Sequence, residues 1–320
     1  MQGRERPVEW AHAVAAVRPG WERRHGVAGH RAAQNLPDRV ARLAASWDLT
    51  VLGPLATGAE SVVVAVRDAA DRPGVLKCRP PADPGTGREA MALTHLASPG
   101  VVGLRAAALD EGVLWLGRVV PGHPVAQEPD DRVAVSAFCQ VASSLPRYLA
   151  APDPNACGAA PTPFPNLGQQ LDALETWPSA LPKGEWLLAE RLVALAHRLA
   201  DSTRTPCLLH GDLHDDNILA AAGGAFCAID PKGVWGDPAY EPACFLMNRW
   251  TRSSGPSAGM AAALAARLAL DARRVLGWTF VHTALSLAWS QEDDGVAAPA
   301  TDGRWALLRY VTHVMDGWEA

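Results

Sequence analysis

The stretch at residues 210–219, HGDLHDDNIL, places two His, three Asp and one Asn within eight residues and then turns apolar. A second apolar segment, residues 225–230, ends in Asp230 and is separated from the first by Gly223 and Gly224. Two short apolar runs joined by Gly-Gly are typical of a β-hairpin. The pattern therefore predicts a polar loop followed by a tight hairpin, with Asp230 at the end of that hairpin.

The rest of the chain predicts an α+β protein with two lobes. A length of 320 residues exceeds what one hydrophobic core usually serves. β-Branched runs separated by turns predict antiparallel strands between residues 50 and 120, whereas residues 185–202 repeat leucines at helical spacing. We therefore expect an irregular, Arg-rich extension over residues 1–36, a β-rich N-lobe over 37–118 and an α-rich C-lobe over 119–320.

The polar loop matches the protein-kinase catalytic-loop template H-x-D-L-x-x-x-N at every fixed position. In that template the Asp, here Asp212, accepts a proton from an attacking hydroxyl, and the Asn, here Asn217, holds a metal ion on the nucleotide phosphates. Asp230 then stands where a kinase has the metal-binding Asp of D-F-G, although this chain reads D-P-K.

Two other interpretations of the loop compete with catalysis by a kinase. A loop rich in His, Asp and Asn is by itself more often a hydrogen-bonded turn. Metal-dependent phosphoester hydrolysis is a chemical alternative, because residues 212–214 form a D-x-H, but no further cluster of metal ligands such as Asn-His-Asp follows. The ordered spacing together with the hairpin and Asp230 favours the kinase interpretation.

The N-lobe contains candidates for nucleotide binding. Lys77 ends the strand segment VLK, comparable to the Lys of the kinase V-A-I-K, whose ammonium binds the α- and β-phosphates. Glu89, in the following helix, is the first candidate for its ion-pair partner, although a Glu in a first helical turn is also favoured by the helix dipole. The turn at residues 57–61 has one glycine, so Gly58 and Ser61 either contact phosphate or form a plain hairpin turn.

Charge and cysteine content narrow the class of function. A net charge of -5 and a pI near 6.1 do not fit a protein that coats nucleic acid or an anionic membrane. Six scattered Cys without a CxxC pair favour free thiols in a reducing cytoplasm, and the charged N-terminus lacks the apolar core of a secretory signal.

Lysine is rare in this sequence, since only Lys77, Lys183 and Lys232 occur. Although coding bias explains most of this rarity, a retained lysine points to a need for a compact ammonium.

The segments LHGDLHDDNIL at 209–219 and AIDPKGVWGDPAYEPA at 228–243 resemble the aminoglycoside phosphotransferases, most of all the branch of streptomycin 6-kinases and hydroxyurea phosphotransferases. The resemblance extends over about residues 37–250. It implies a protein-kinase-like bilobal fold and transfer of the γ-phosphate of ATP, with Mg, to a hydroxyl group of an antibiotic.

The resemblance also assigns roles to single residues of this chain. It implies that Asp212 is catalytic, that Asn217 and Asp230 bind the metal, and that the backbone of residues 116–119 reads adenine. For the nucleotide, the resemblance implies that Lys77 binds the phosphates, with Glu89 as its ion-pair partner. Leu116 and Arg118 belong to the implied adenine segment, and Gly58 and Ser61 are candidates from the 57–61 turn alone.

Three positions depart from the pattern of that branch. Asp215 and Asp216 stand where members often have a small residue or Pro, and Glu241 stands where Asp is common. We expect Glu241 to preserve a structural carboxylate on a longer arm. We expect Asp237, in the G-D-P run, to brace the segment after Asp230 rather than to contact substrate.

The resemblance favours an aminoglycoside such as streptomycin as the acceptor and antibiotic resistance as the role. Aminoglycosides are cationic, and Asp215, Asp216 and the acidic residues 292–294 could form an acidic pocket, although a solvated turn is the more ordinary role for 292–294. Hydroxyurea or another hydroxylated metabolite is an alternative acceptor. A nucleotide-sensing pseudokinase is the alternative of a different class. It is disfavoured because the phosphate-binding Lys, the catalytic Asp and both metal-binding residues named above are intact, whereas a degenerate kinase is expected to lose at least one of them.

Overall fold

The protein, seen in a computed structural model, divides into two compact units. The first lies within Met1–Ala97 and Val102–Val120, and the second within Ser98–Val101 and Pro121–Ala320. The division at Val120 falls close to the predicted boundary at residue 118. The structure describes residues 9–58, 60–146, 164–177, 186–252, 258–294, 298–299 and 301–319.

The first unit is built on an antiparallel sheet of five strands in the order β1-β2-β3-β5-β4, as the β-branched runs predicted. The inner strands β2, β3 and β5 are largely buried, whereas the edge strands β1 and β4 mostly alternate between half-buried and exposed residues. Its elements are α1 (Trp10–Gln34), α2 (Leu36–Ser46), β1 (Leu49–Thr57), β2 (Val62–Asp68), β3 (Pro73–Cys78), α3 (Pro84–His95), β4 (Leu104–Ala108) and β5 (Val113–Gly117).

Helix α1 corrects the expectation of an irregular N-terminal extension. Ala13, Val17 and Trp21 recur every four residues and are almost fully buried in the same hydrophobic core as the strands. The helical pattern is obscured in the sequence because Pro19 lies inside the helix, and Gly26 adopts a non-helical φ of 56° that kinks it. The amphipathic stripe therefore continues across two residues that usually end a helix.

Helix α3 begins at Pro84, five residues before Glu89, whereas Glu89 was considered a residue of the first helical turn from the sequence. The Asp83 carboxylate accepts a hydrogen bond from the backbone N–H of Gly85 at 2.8 Å, and Pro84 occupies the first helical turn, where its missing N–H costs nothing. This early start places Glu89 on the buried face of the helix.

The second unit is mainly helical and contains two small sheets. Strands β6, β8 and β9 form one sheet, and β7 pairs with β10 in the other. Its elements are β6 (Pro121–Pro124), α4 (Asp131–Ser144), α5 (Leu167–Gln170), α6 (Asp172–Thr176), α7 (Trp186–Asp201), β7 (Cys207–Leu209), β8 (Ile218–Ala221), β9 (Phe226–Ala228), β10 (Val234–Gly236), α8 (Glu241–Arg252), α9 (Ala258–Leu268), α10 (Ala272–Asp294) and α11 (Gly303–Glu319).

Helix α10 is the central helix of this unit and contacts α7, α8, α9 and α11. The buried His282 in α10 shares a 2.8 Å hydrogen bond with the hydroxyl of Tyr240, which lies just before α8. The helix continues to Asp294, so residues 292–294, for which the sequence allowed an acidic pocket or a solvated turn, form the last turn of α10. Glu292 is exposed.

Two expectations about cellular context can be compared with the described residues. Cys78, Cys139, Cys207, Cys227 and Cys244 are free thiols, as predicted, and Cys157 lies outside the described residues. Across that described part of the chain, the helices are all too short or too polar to span a bilayer.

Candidate active site

The polar loop of residues 210–217 leaves β7 through a glycine that the geometry requires. Gly211 has a φ of 81°, which L-residues with a Cβ rarely adopt. A Cβ at this position would also lie 2.7 Å from Cγ2 of Val234, the first residue of the partner strand β10. The chain can therefore turn sharply before Asp212 only because residue 211 lacks a side chain.

Glu241, at the start of α8, holds the beginning of the loop. Its carboxylate accepts hydrogen bonds from the backbone N–H groups of His210 at 3.1 Å and Gly211 at 2.8 Å. Burial raises the pKa of Glu241 to about 7, against the lowering effect of these two hydrogen bonds. The prediction of a structural carboxylate at this position is consistent with these contacts.

His210 joins the loop to the hairpin. Its Nε2 lies 3.0 Å from the carbonyl oxygen of Ile229, the residue before Asp230. Burial lowers the pKa of His210 to about 3, so the ring is neutral at physiological pH. A neutral ring carries one N–H, and the Ile229 carbonyl is an acceptor, so we assign that proton to Nε2.

The side chains of Asp212 and Asn217 lie together, as the template predicted. The Asn217 Nδ2 donates to the carbonyl oxygen of Asp212 at 2.9 Å and lies 3.4 Å from the Asp212 Oδ2. The surrounding protein raises the pKa of the Asp212 carboxyl through desolvation, which the nearby His214 and Lys232 oppose. A carboxylate with a raised pKa is a better proton acceptor than one in water.

The hairpin of β8 and β9 delivers Asp230 to the same site. Ile218 pairs with Ala228, and the backbone N–H of Ile229 donates to the Asn217 carbonyl at 3.0 Å. Asp230 has a φ of 59°, a left-handed conformation that is uncommon for a residue other than glycine. Such strain costs on the order of 1–3 kcal/mol and is found most often where function needs a fixed side-chain direction.

Lys232 joins the two carboxylates and had no assigned role in the sequence analysis. Its Nζ lies 3.2 Å from Asp230 Oδ1 and 3.7 Å from Asp212 Oδ2. Its backbone is fixed as well, because the N–H of Lys232 donates to the His210 carbonyl at 2.8 Å. The rarity of lysine was the only signal in the sequence that could have singled it out.

The donor atoms at this site fit a magnesium ion. Asp230 offers a carboxylate, and Asn217 offers an amide oxygen whose direction is set by the hydrogen bond that its Nδ2 donates. Mg²⁺ prefers such hard oxygen ligands and usually binds through one or two protein groups together with substrate phosphates. Asn217 and Asp230 are therefore the residues that could hold it.

In the first unit the structure brings Lys77 and Glu89 together. The Lys77 Nζ lies 2.8 Å from the Glu89 carboxylate, and both side chains are at least nine-tenths buried. Arg79 also lies 3.8 Å from that carboxylate. The pairing joins β3 to α3 and fixes the direction of the lysine stem.

The turn at residues 57–61 is tied to helix α1. The backbone N–H of Gly58 donates to the Ser61 carbonyl at 2.9 Å, and the Ser61 side chain is buried. The Trp21 indole N–H donates to the Glu60 carbonyl at 2.9 Å, and Arg79 binds the Glu60 carboxylate at 2.8 Å. Phosphate contacts by Gly58 and Ser61 stay predictions.

The segment expected to read adenine begins inside the sheet. Leu116 lies in β5 between Val75 of β3 and Leu104 of β4, so its backbone is part of the strand ladder. The N–H of Arg118 donates to the Pro73 carbonyl at 3.5 Å. Adenine recognition by this segment would therefore depend on residues after the end of β5.

The structure corrects the expected acidic pocket. Asp215 is fully buried and lies 3.1 Å from Arg252 and 3.9 Å from Arg249, so it cannot line an open binding surface. Asp216 also pairs with Arg252. Arginines neutralise both carboxylates, and this explains why acidic residues occupy positions that are often small or Pro in the related branch.

Asp237 has the bracing role that we expected. Its carboxylate accepts hydrogen bonds from the buried Trp278 indole N–H at 2.7 Å and from the Ala239 backbone N–H at 2.9 Å, and it pairs with Arg274. These contacts join the segment before α8 to α10. The carboxylate is buried and occupied by these contacts, which favours the structural interpretation over substrate contact.

Comparison with known proteins identifies similar sequences and folds. A model of the aminoglycoside/hydroxyurea antibiotic resistance kinases matches residues 46–295. Hydroxyurea phosphotransferase of Kitasatospora aureofaciens is 31% identical over 283 residues, which cover 86% of this chain and 78% of that protein. Streptomycin 6-kinase of Streptomyces griseus is 28% identical over 296 residues, which cover 88% of this chain and 92% of that protein.

A solved structure with the same fold is the choline kinase LicA from Streptococcus pneumoniae. It superposes with a TM-score of 0.61 at 11% identity and covers 88% of this chain and 98% of its own. The likeness confirms the predicted kinase-like α+β fold.

Proposed function

The chain belongs to the aminoglycoside/hydroxyurea antibiotic resistance kinase family, and we propose that it transfers the γ-phosphate of ATP to a hydroxyl of a small molecule, first of all an aminoglycoside such as streptomycin. As a member of this family it is a small-molecule phosphotransferase. The observation that supports the detailed proposal is the cluster of Asp212, Asn217 and Asp230 in the second unit, where one loop and one hairpin bring together two carboxylates and an amide.

Phosphoryl transfer requires positioning and charge neutralisation more than covalent chemistry by the protein. In our proposal the Asp212 carboxylate accepts the proton of the acceptor hydroxyl and holds its oxygen in line with the γ-phosphorus. Asn217 and Asp230 hold Mg, which when bound neutralises charge on the phosphate oxygens. Lys77, held by Glu89, binds the phosphates of the nucleotide.

The acceptor class rests on the relatives and on overall charge. A net charge of -5 is compatible with a cationic aminoglycoside, and one relative is a streptomycin 6-kinase. The relative at 31% identity is a hydroxyurea phosphotransferase, so hydroxyurea is the acceptor to compare with streptomycin. Since Asp215 and Asp216 are paired with arginine, recognition of a cation would have to use other groups.

A coupled assay of ADP release tests the proposal. The wild-type protein is given Mg·ATP with streptomycin, other aminoglycosides, hydroxyurea and simple sugars in turn, and we expect the aminoglycosides to stimulate ADP release. Stimulation by hydroxyurea alone would replace the acceptor class and leave the phosphotransfer intact. ATP binding without stimulation by any acceptor would instead favour a nucleotide sensor.

Asp212→Ala tests the role of the carboxylate. The turnover rate of the variant should fall ~10²–10³-fold, which is the usual effect of removing a group that acts in the transition state, while ATP binding is retained. Glu292→Ala is a matched control, because Glu292 is an exposed acid in the same unit. Turnover near the wild-type rate in Asp212→Ala would remove this residue from the mechanism.

A further inference from the structure

Lys232 lies between two groups that have separate roles in the proposed reaction. Its ammonium is 3.7 Å from the Asp212 carboxylate and 3.2 Å from that of Asp230. Its side chain is 41% exposed, so the ammonium is accessible to a ligand as well as to the two acids. A lysine that served only the core would be buried like Lys77, whose side chain is 8% exposed.

The backbone around Lys232 is held rigidly. The N–H groups of Lys232 and Gly233 both donate to the carbonyl oxygen of His210, at 2.8 and 3.1 Å. His210 is in turn anchored by Glu241. The flexible stem of the lysine therefore starts from a fixed point beside the loop, from which its ammonium reaches both carboxylates.

The location of the ammonium follows the geometry of the transfer. The acceptor oxygen must lie next to the Asp212 carboxylate and in line with the γ-phosphorus, while the phosphate oxygens lie towards the metal ligand Asp230. A cation that contacts both carboxylates is therefore also within reach of the oxygens of the group in transfer. Negative charge on those oxygens is what a positioned ammonium stabilises.

The geometry points to Lys232 as a further catalytic residue that contacts the transferred phosphoryl group; this inference rests on the proposed function. The acceptor oxygen forms a bond to the γ-phosphorus as the bond from phosphorus to the β–γ bridging oxygen breaks. The bridging oxygen leaves with the electron pair as part of ADP, and the hydroxyl proton passes to the Asp212 carboxylate. Throughout, the Lys232 ammonium donates to an oxygen of the transferred group.

The test is Lys232→Met, compared with Arg132→Met. Arg132 lies in the same unit with a side chain that is 93% exposed and pairs with Asp130 at 3.5 Å. Each of the two variants therefore removes one positive charge. Steady-state rates are measured with the acceptor found for the wild type. Calorimetry measures the binding of Mg·ADP and of a non-hydrolysable Mg·ATP analogue, AMPPNP.

We expect Lys232→Met to lower kcat by about 10²-fold, with Arg132→Met unchanged. Lys232→Met should bind AMPPNP at least about tenfold more weakly than the wild type does. Its affinity for ADP should stay near that of the wild type, because only the triphosphate has the γ-phosphoryl group that the ammonium contacts. A merely structural lysine would not change the ratio of these two affinities.

The possible results distinguish a wrong role for Lys232 from a wrong proposed function. Phosphotransfer by the wild type together with a normal kcat and a normal affinity ratio in Lys232→Met overturns the role of Lys232 and leaves the proposed function standing. If the wild type binds AMPPNP but phosphorylates no acceptor, the proposed function fails, and the affinity ratio in Lys232→Met still decides the contact. Failure of the wild type to bind either nucleotide overturns both.

Discussion

The Glu241 carboxylate is the acceptor for two backbone N–H groups at the start of the polar loop of residues 210–217, and Glu241→Ala removes it. The N–H of His210 belongs to a fully buried residue and would lose its acceptor without access to water. Gly211 is partly exposed, so water can replace the lost partner there. The variant should therefore lose stability, and the loop that leads to Asp212 should become less ordered.

The size of the effect follows from these exposures. A buried N–H without an acceptor costs about 1–3 kcal/mol, so His210 contributes a value near the top of that range and Gly211 a value near the bottom. Removing a buried carboxyl also removes its own desolvation cost, which offsets part of the loss. We expect the free energy of unfolding to fall by roughly 2–3 kcal/mol.

Urea unfolding followed by tryptophan fluorescence measures this change, and the kcat of the folded variant is measured in parallel. Glu292→Ala, an exposed Glu in the same unit, should stay within about 0.5 kcal/mol of the wild type. An unfolding midpoint of Glu241→Ala at the same urea concentration as that of the wild type would refute the reasoning, because the two hydrogen bonds would then contribute nothing to stability.

The same carboxyl should make stability depend on pH. Burial raises the pKa of Glu241 from 4.5 to about 7, so between these values the folded protein keeps a proton that the unfolded chain releases. The stabilisation is complete below about pH 4.5 and is lost as the pH rises to about 7, with a total of roughly 3 kcal/mol. Glu241→Gln cannot ionise, so it should gain stability relative to the wild type between pH 5 and 8. The same difference in unfolding free energy between Glu241→Gln and the wild type at pH 5 and at pH 8 would contradict this.

Three further substitutions test the buried contacts. Lys77→Met should lower the free energy of unfolding by about 3–5 kcal/mol by leaving Glu89 buried beside a weaker partner, and adding Glu89→Gln should restore part of it in a double-mutant cycle. Gly211→Ala should lower the melting temperature and activity, since a left-handed residue with a Cβ costs about 1–2 kcal/mol before the clash with Val234; an unchanged melting curve would contradict it. Asp237→Ala should cost about 1–3 kcal/mol in urea unfolding, and a change below 0.5 kcal/mol would be the contrary result.

The loop and hairpin were predictable because their geometry is local. The spacing from Asp212 to Asn217 is fixed within one turn, and a Gly-Gly turn joins two short apolar runs that end at Asp230. Most of the antiparallel pairing in the first unit was predictable for a similar reason, since β1 pairs with β2, β2 with β3 and β4 with β5, whereas the pairing of β3 with β5 skips a strand. Such features need no knowledge of distant contacts.

The features that the sequence did not reveal depend on distant partners. Asp215 was one candidate for an acidic pocket that binds a cationic substrate, but Arg252, 37 residues later, pairs with it in the structure. The contact of Lys232 with Asp212 depends on how the hairpin folds back onto the loop. Pairing at such separations depends on the folded backbone, so spacing alone could not predict it.

Helix α1 has a practical consequence for anyone who dissects this protein. A fragment that begins at β1 would remove the residues that shield one side of the sheet, including Trp21 and Val17, and would leave that side open to water. It would also remove the tether from the Trp21 indole to the 57–61 turn. Such a truncated piece should aggregate or melt early even though every proposed catalytic side chain is retained, so the minimal unit that folds is larger than the minimal unit that performs the chemistry.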